Sequence, residues 1–127
     1  YVAIEPAYHH VISSPKRLRR LMDELGHDHI RVTFDLFNLL SIHNYKNQRA
    51  IIDEMIELFR QDIRIIHAKD FIIENGELKQ VAPGQGLLDY AYLLERIKEL
   101  PIEPIMIFEG VVGDDIVKSA TFLKTFN

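Results

Sequence analysis

The chain has 127 residues, 47% of them hydrophobic, a formal net charge of −4 and no cysteine. That is enough for one domain with a real core; it excludes disulfides and thiol chemistry and argues against disorder. The basic residues are dispersed apart from Lys16-Arg17-Leu18-Arg19-Arg20, and no apolar run approaches the roughly 20 residues of a membrane-spanning helix. A non-specific nucleic-acid binder and a membrane partner are therefore not expected. The basic cluster reads as the solvated face of a helix. The cysteine-free composition fits a cytoplasmic setting.

Tyr1 to Ile4 reads as a buried strand that stops near Glu5, because Pro6 cannot extend a central strand. The chain opens inside this strand, so we expect it to be a piece of a longer protein. Ala7 to Ser13 reads as a loop carrying His9 and His10. Ser14-Pro15 is a helix start, with serine capping and proline in the first turn. Leu18, Leu21, Met22 and Leu25 form one apolar face, and Gly26 suits the left-handed residue that closes the helix. Ile30 to Asp35 is the second strand, and Leu36 to Ile42 a short helical turn. From Asn47 a second amphipathic helix runs to about Arg60, followed by a third strand, Ile63 to His67.

Glu74-Asn75-Gly76-Glu77 lies between two apolar runs, and an Asn-Gly pair in that position predicts a small β-hairpin over about 71–81. Pro83-Gly84-Gln85-Gly86 is a loop. Asp89 could cap a helix from Tyr90 to Glu99, which Pro101 ends. Ile105 to Phe108 is the fourth strand. Asp114-Asp115 start a last helix through Ile116, Ala120 and Leu123, with acidic residues at the positive end of its dipole. Strands apolar on both faces, alternating with helices, predict a parallel α/β architecture.

Each of the four strands ends in a side chain able to bind a metal: Glu5, Asp35, His67 and Glu109. They stand 30, 32 and 42 positions apart. About thirty residues make one βα unit, and the longest interval contains the hairpin. In parallel α/β folds ligands bind outside the carboxyl ends of the strands. Three carboxylates and one imidazole converging there suit Mn²⁺, Mg²⁺ or Co²⁺, and also Zn²⁺. Four protein ligands leave two octahedral positions for adjacent substrate oxygens. Asp70 is placed to orient His67 by accepting its other N–H. Lys69 is either solvated or meets a substrate hydroxyl or phosphate.

Ala3-Ile4-Glu5-Pro6, Val32-Thr33-Phe34-Asp35, Ile66-His67-Ala68-Lys69-Asp70, Gly84-Gln85-Gly86-Leu87-Leu88-Asp89 and Phe108-Glu109-Gly110 together carry a family likeness. The chain resembles the sugar isomerases and epimerases of the xylose isomerase-like TIM barrels, which also include the family 2 AP endonucleases. The likeness covers essentially all of residues 1–127. It implies a single domain forming the C-terminal half of that barrel, strands five to eight. It further implies that Glu5, Asp35, His67 and Glu109 ligate one divalent metal, often manganese, and that Glu5 and Glu109 are the acid/base pair. In such enzymes one glutamate removes a proton beside a carbonyl to give an enediolate, and the other returns a proton to the opposite face or the adjacent carbon. The expected partner is a sugar or sugar phosphate.

One position departs from the pattern. Many epimerases of the family carry a histidine three residues after the aspartate; here that position is Asn38, which can hydrogen-bond a substrate hydroxyl but cannot take up a proton at neutral pH. His10, with His9, is a candidate lining residue of the pocket. Two alternatives compete with the isomerase reading: a metal-dependent phosphodiesterase of the AP endonuclease type, which would need more ligands, and a non-catalytic barrel homologue. Half of an eight-stranded barrel leaves open sheet edges, so a homo-oligomer is expected, with the fragment pairing with itself.

Overall fold

The computed structural model describes residues 1–26 and 28–126. Four parallel strands form one sheet in the order β1 (Val2–Ile4), β2 (Ile30–Phe34), β3 (Ile63–Ala68), β6 (Ile105–Phe108). Between them run α1 (Pro15–Leu25), α2 (Leu36–Leu39), α3 (Gln48–Phe59) and α4 (Tyr90–Ile97), and α5 (Asp114–Lys124) follows β6. The hairpin expected near 71–81 is present as β4 (Asp70–Glu74) and β5 (Glu77–Val81). Its turn uses positive φ at both Asn75 (+52°) and Gly76 (+77°), the backbone that the Asn-Gly pair permits.

Local chemistry sets the helix limits. Ser14 Oγ accepts the Arg17 N–H at the start of α1, and Gly26, at φ +59°, returns its N–H to Met22 at the end. Asp35 caps α2 through Asn38 N–H, and Asp89 caps α4 through Tyr92 N–H. A 3₁₀ turn at Tyr45–Asn47 leads into α3, which buries Ile52, Met55, Ile56 and Phe59. Those residues pack with Leu18, Val32, Phe34, Ile63 and Ile66 in one core between sheet and helices. In α5 the buried residue is Ser119, whose hydroxyl donates to the Pro83 carbonyl. Phe122 and Leu123 pack against the core while Ile116, nearer the start of the helix, stays 45% exposed.

Two features of the sheet govern the site. Val32 pairs with Ile63, but Thr33 pairs with Ile65 and Phe34 with Ile66. Arg64 is thus an extra residue in β3. Without that bulge Asp35 would fall opposite Ile66, which points into the core; with it Asp35 falls level with His67, on the other face. The second feature is the face itself. Ile105 and Ile107 on β6 are 67% and 42% exposed, and among the described residues β1 and β6 are each paired on one side only. In a closed barrel the face that carries Ile105 and Ile107, level with His67, would be the packed interior. Among the described residues no helix is long and apolar enough to cross a membrane.

Candidate metal centre

Glu5, Asp35, His67 and Glu109 meet at the carboxyl end of the sheet, where one ligand atom from each lies within 4.8 Å of every other. Asp35 and His67 come from the two central strands. Glu5 and Glu109 follow the outer strands β1 and β6 and approach from opposite flanks. Nδ1 of His67 is the hub: it lies 2.6 Å from Glu109 Oε2 and 3.5 Å from both Glu5 Oε2 and Asp35 Oδ2. Asp35 is fully buried and divides its labour, Oδ1 capping α2 and Oδ2 facing the cluster. Among the described residues, Asp35 Oδ2 and His67 Nδ1 are buried polar atoms without a well-aligned hydrogen-bond partner. Their near neighbours are charged groups of the same cluster, and three carboxylates and one imidazole nitrogen brought to one point fit a divalent cation's oxygen- and nitrogen-donor set.

The remaining candidates take more specific places than the sequence suggested. Lys69 is not solvated: it is 4% exposed, with Nζ 2.8 Å from Asp35 Oδ2 and 3.1 Å from Glu109 Oε2. Asn38 Nδ2 donates to Glu5 Oε1 at 2.5 Å, and its Oδ1 faces Lys69 Nζ at 3.4 Å, so it links two members of the cluster. Asp70 does not orient His67. Its Oδ1 accepts the N–H groups of Phe71 and Leu88 at 2.8 and 2.9 Å, and its Oδ2 those of Gly84 and Gly86 at 3.0 Å each. With four donors saturating it, the carboxylate anchors the loop before α4. His10 is exposed and outside the pocket; its neighbour His9 lines a cavity of about 240 Å³ beside Asn38, Phe37 and Leu78. A further cavity of about 690 Å³ lies at the opposite end of β2 and β3, among Arg19, Arg31, Arg64 and Asp62, away from the converging ligands.

Two supporting residues escaped the sequence reading. Tyr90 donates its hydroxyl to the Lys69 carbonyl at 2.7 Å, and Gln80, from the hairpin, donates to the Glu109 carbonyl at the same distance. The hairpin therefore braces the strand end that carries Glu109. The one sequence trace of this contact is Gly110, at φ +71°, where a Cβ would lie 2.6 Å from Gln80 Nε2. The Gly84-x-Gly86 spacing has a similar cause. A Cβ on Gly86 would collide with the Phe71 carbonyl oxygen and lie 2.5 Å from Asp70 Oδ1. Gly86→Ala should cost about 1–3 kcal/mol, the usual penalty for overpacking, as read from the midpoint of urea unfolding.

The electrostatics follow from this crowding. Burial, then the charge of Asp35, pushes the Glu5 carboxyl above its usual range, and Glu109 adds to this; the Asn38 hydrogen bond and His67 oppose it. Burial works against the Lys69 ammonium, but its contacts with Asp35 and Glu109 outweigh burial and hold its pKa above the ordinary lysine value. Burial, together with the charges of Asp70 and Asp35, pushes the Tyr90 phenol up, so it stays a neutral donor.

A family model described as xylose isomerase-like TIM barrel matches residues 1–126. Among solved structures, a xylose isomerase domain protein from Planctomyces limnophilus superposes with a TM-score of 0.73 at 17% identity, covering 98% of this chain and 46% of that one. An L-ribulose 3-epimerase superposes with a TM-score of 0.61 at 14% identity, covering 94% of this chain and 38% of that one. The chain thus spans less than half the length of the solved structures it matches. No curated protein matches the sequence.

Proposed function

The chain belongs to the xylose isomerase-like TIM barrel family, and from that membership we propose that it is the metal-binding portion of a sugar or sugar-phosphate isomerase or epimerase. The observation that carries this reading is the convergence of Glu5, Asp35, His67 and Glu109, with the two glutamates on opposite flanks. One divalent ion, Mn²⁺ before Mg²⁺, Co²⁺ or Zn²⁺, would be held by these four side chains. When bound, it would hold two neighbouring substrate oxygens and offset negative charge as it develops.

The chain's own groups do the proton work. One of Glu5 and Glu109 takes the proton from the carbon beside the substrate carbonyl, giving an enediolate. The other delivers a proton to the opposite face or to the adjacent carbon. Groups on opposite flanks suit that exchange, since each needs hydrogen-bond reach to its own side of the substrate. Asn38 donates to Glu5 and so fixes the direction of its carboxylate without exchanging protons itself. Neighbours of the same fold include a named epimerase, which is in keeping with this chemistry.

The test uses the full-length protein loaded with Mn²⁺ and a panel of ketoses, aldoses and their phosphates in deuterated water. At least one sugar should gain deuterium at the carbon next to its carbonyl. A chelator should abolish the exchange, and added Mn²⁺ should restore it, with one ion bound per chain. Two or three zinc ions per chain would favour the phosphodiesterase reading, and no exchange with any sugar would favour the non-catalytic one.

A further inference from the structure

We propose that Lys69 is the resident counter-ion of the four-ligand cluster, competing with the metal for the same carboxylate oxygens. This rests on the metal-centre reading above. A buried lysine needs charged partners, and those Lys69 has found are two of the proposed ligands. Its Nζ touches Asp35 Oδ2 and Glu109 Oε2, the same two atoms that lie 3.5 and 2.6 Å from His67 Nδ1. The ammonium is held there from several sides. Asn38 Oδ1 stands at 3.4 Å, the Phe37 ring centroid at 5.8 Å, and the backbone is tied by the Tyr90 hydroxyl. It is thus a built component of the site.

The charge count gives it a role. Three carboxylates and one ammonium sum to −2, which a divalent ion brings to zero. Without Lys69 the cluster stands at −3. Two effects then oppose each other on metal binding. Losing the ammonium loosens the carboxylates, which weakens binding. It also removes a positive charge from the immediate neighbourhood of a doubly charged ion. The repulsion acts on a doubly charged ion, whereas the lost contacts restrain only two of the four ligands, Asp35 and Glu109. The second effect wins, so Lys69 lowers metal affinity in exchange for a cluster that stays assembled without the ion.

Mn²⁺ titration calorimetry on the metal-stripped full-length protein tests this, with Lys69→Met and Lys69→Gln alongside wild type. Lys69→Gln keeps a donor towards Asp35 while losing the charge, and guards against poor folding of the methionine variant. Both variants should bind Mn²⁺ about tenfold tighter or more, and their metal-free forms should melt several degrees lower. Wild type that binds Mn²⁺ while both variants bind equally or more weakly would overturn the counter-ion role and leave the metal centre standing. Wild type that binds no divalent ion would overturn the metal centre, and the counter-ion role with it.

Discussion

Glu109→Gln in the full-length protein is expected to lower turnover about 10³-fold or more, the scale of losing a positioned acid or base, and Glu5→Gln to do the same. Glutamine keeps the shape and an oxygen donor but cannot shuttle the proton. The metal content measured on the same samples separates the two roles: loss of turnover with the ion retained identifies proton transfer, whereas loss of both identifies ligation. Glu5 offers a second readout. Its folded-state pKa is raised by burial and by Asp35, so the folded chain holds this proton more tightly than the unfolded chain. Ionising Glu5 therefore works against folding. Stability of the metal-free protein should fall as pH rises from the ordinary carboxylate range through the raised value. In Glu5→Gln that part of the slope should be missing. Melting temperatures across this pH window, in the presence of chelator, check it. A wild-type slope that survives the substitution would contradict the burial argument.

The sequence shows the elements most clearly where short-range chemistry decides them. Ser14-Pro15 and Gly26 bracket α1, Asn75-Gly76 makes the hairpin turn, and each β-branched run that breaks off in an acid or a histidine is a strand delivering a side chain to one rim. What it hides depends on pairing at a distance. Nothing in Ile63-Arg64-Ile65 marks the bulge that brings His67 level with Asp35, because the extra residue exists only relative to β2. Lys69 reads as either solvated or substrate-facing because lysine is rarely buried, and only the convergence of two carboxylates makes its burial tolerable. The brace from Gln80 to Glu109 spans 29 positions. The contacts of α5, Ser119 on the Pro83 carbonyl and Phe122 on Tyr90, likewise join residues distant in the chain.

Asp70 is the position where the sequence expectation and the structure lead to opposite experiments. If Asp70 oriented His67, Asp70→Asn would weaken metal binding and barely change stability. In the structure its two oxygens instead receive four backbone N–H groups, two of them 14 and 16 residues away and a third 18 away, in a site 1% exposed. Asp70→Ala would leave those donors buried and unpaired. Each hydrogen bond to a charged acceptor contributes about 1.5–3 kcal/mol, but the four act on one loop and are not additive. A total loss of about 3–5 kcal/mol is expected, the range found when one partner of a buried charged network is removed. Asp70→Asn should fare little better, since its amide nitrogen would face two N–H donors with none of its own capacity to accept. For comparison, cutting the exposed Arg20–Glu24 pair should leave stability almost unchanged, since solvent screens such a pair. Urea unfolding of the metal-free chain measures all three variants on one scale. Curves for the two Asp70 variants that overlay wild type would remove the anchor role. A large shift would establish that the Gly84–Leu88 loop, and through Tyr90 the backbone of Lys69, is hung on this one carboxylate.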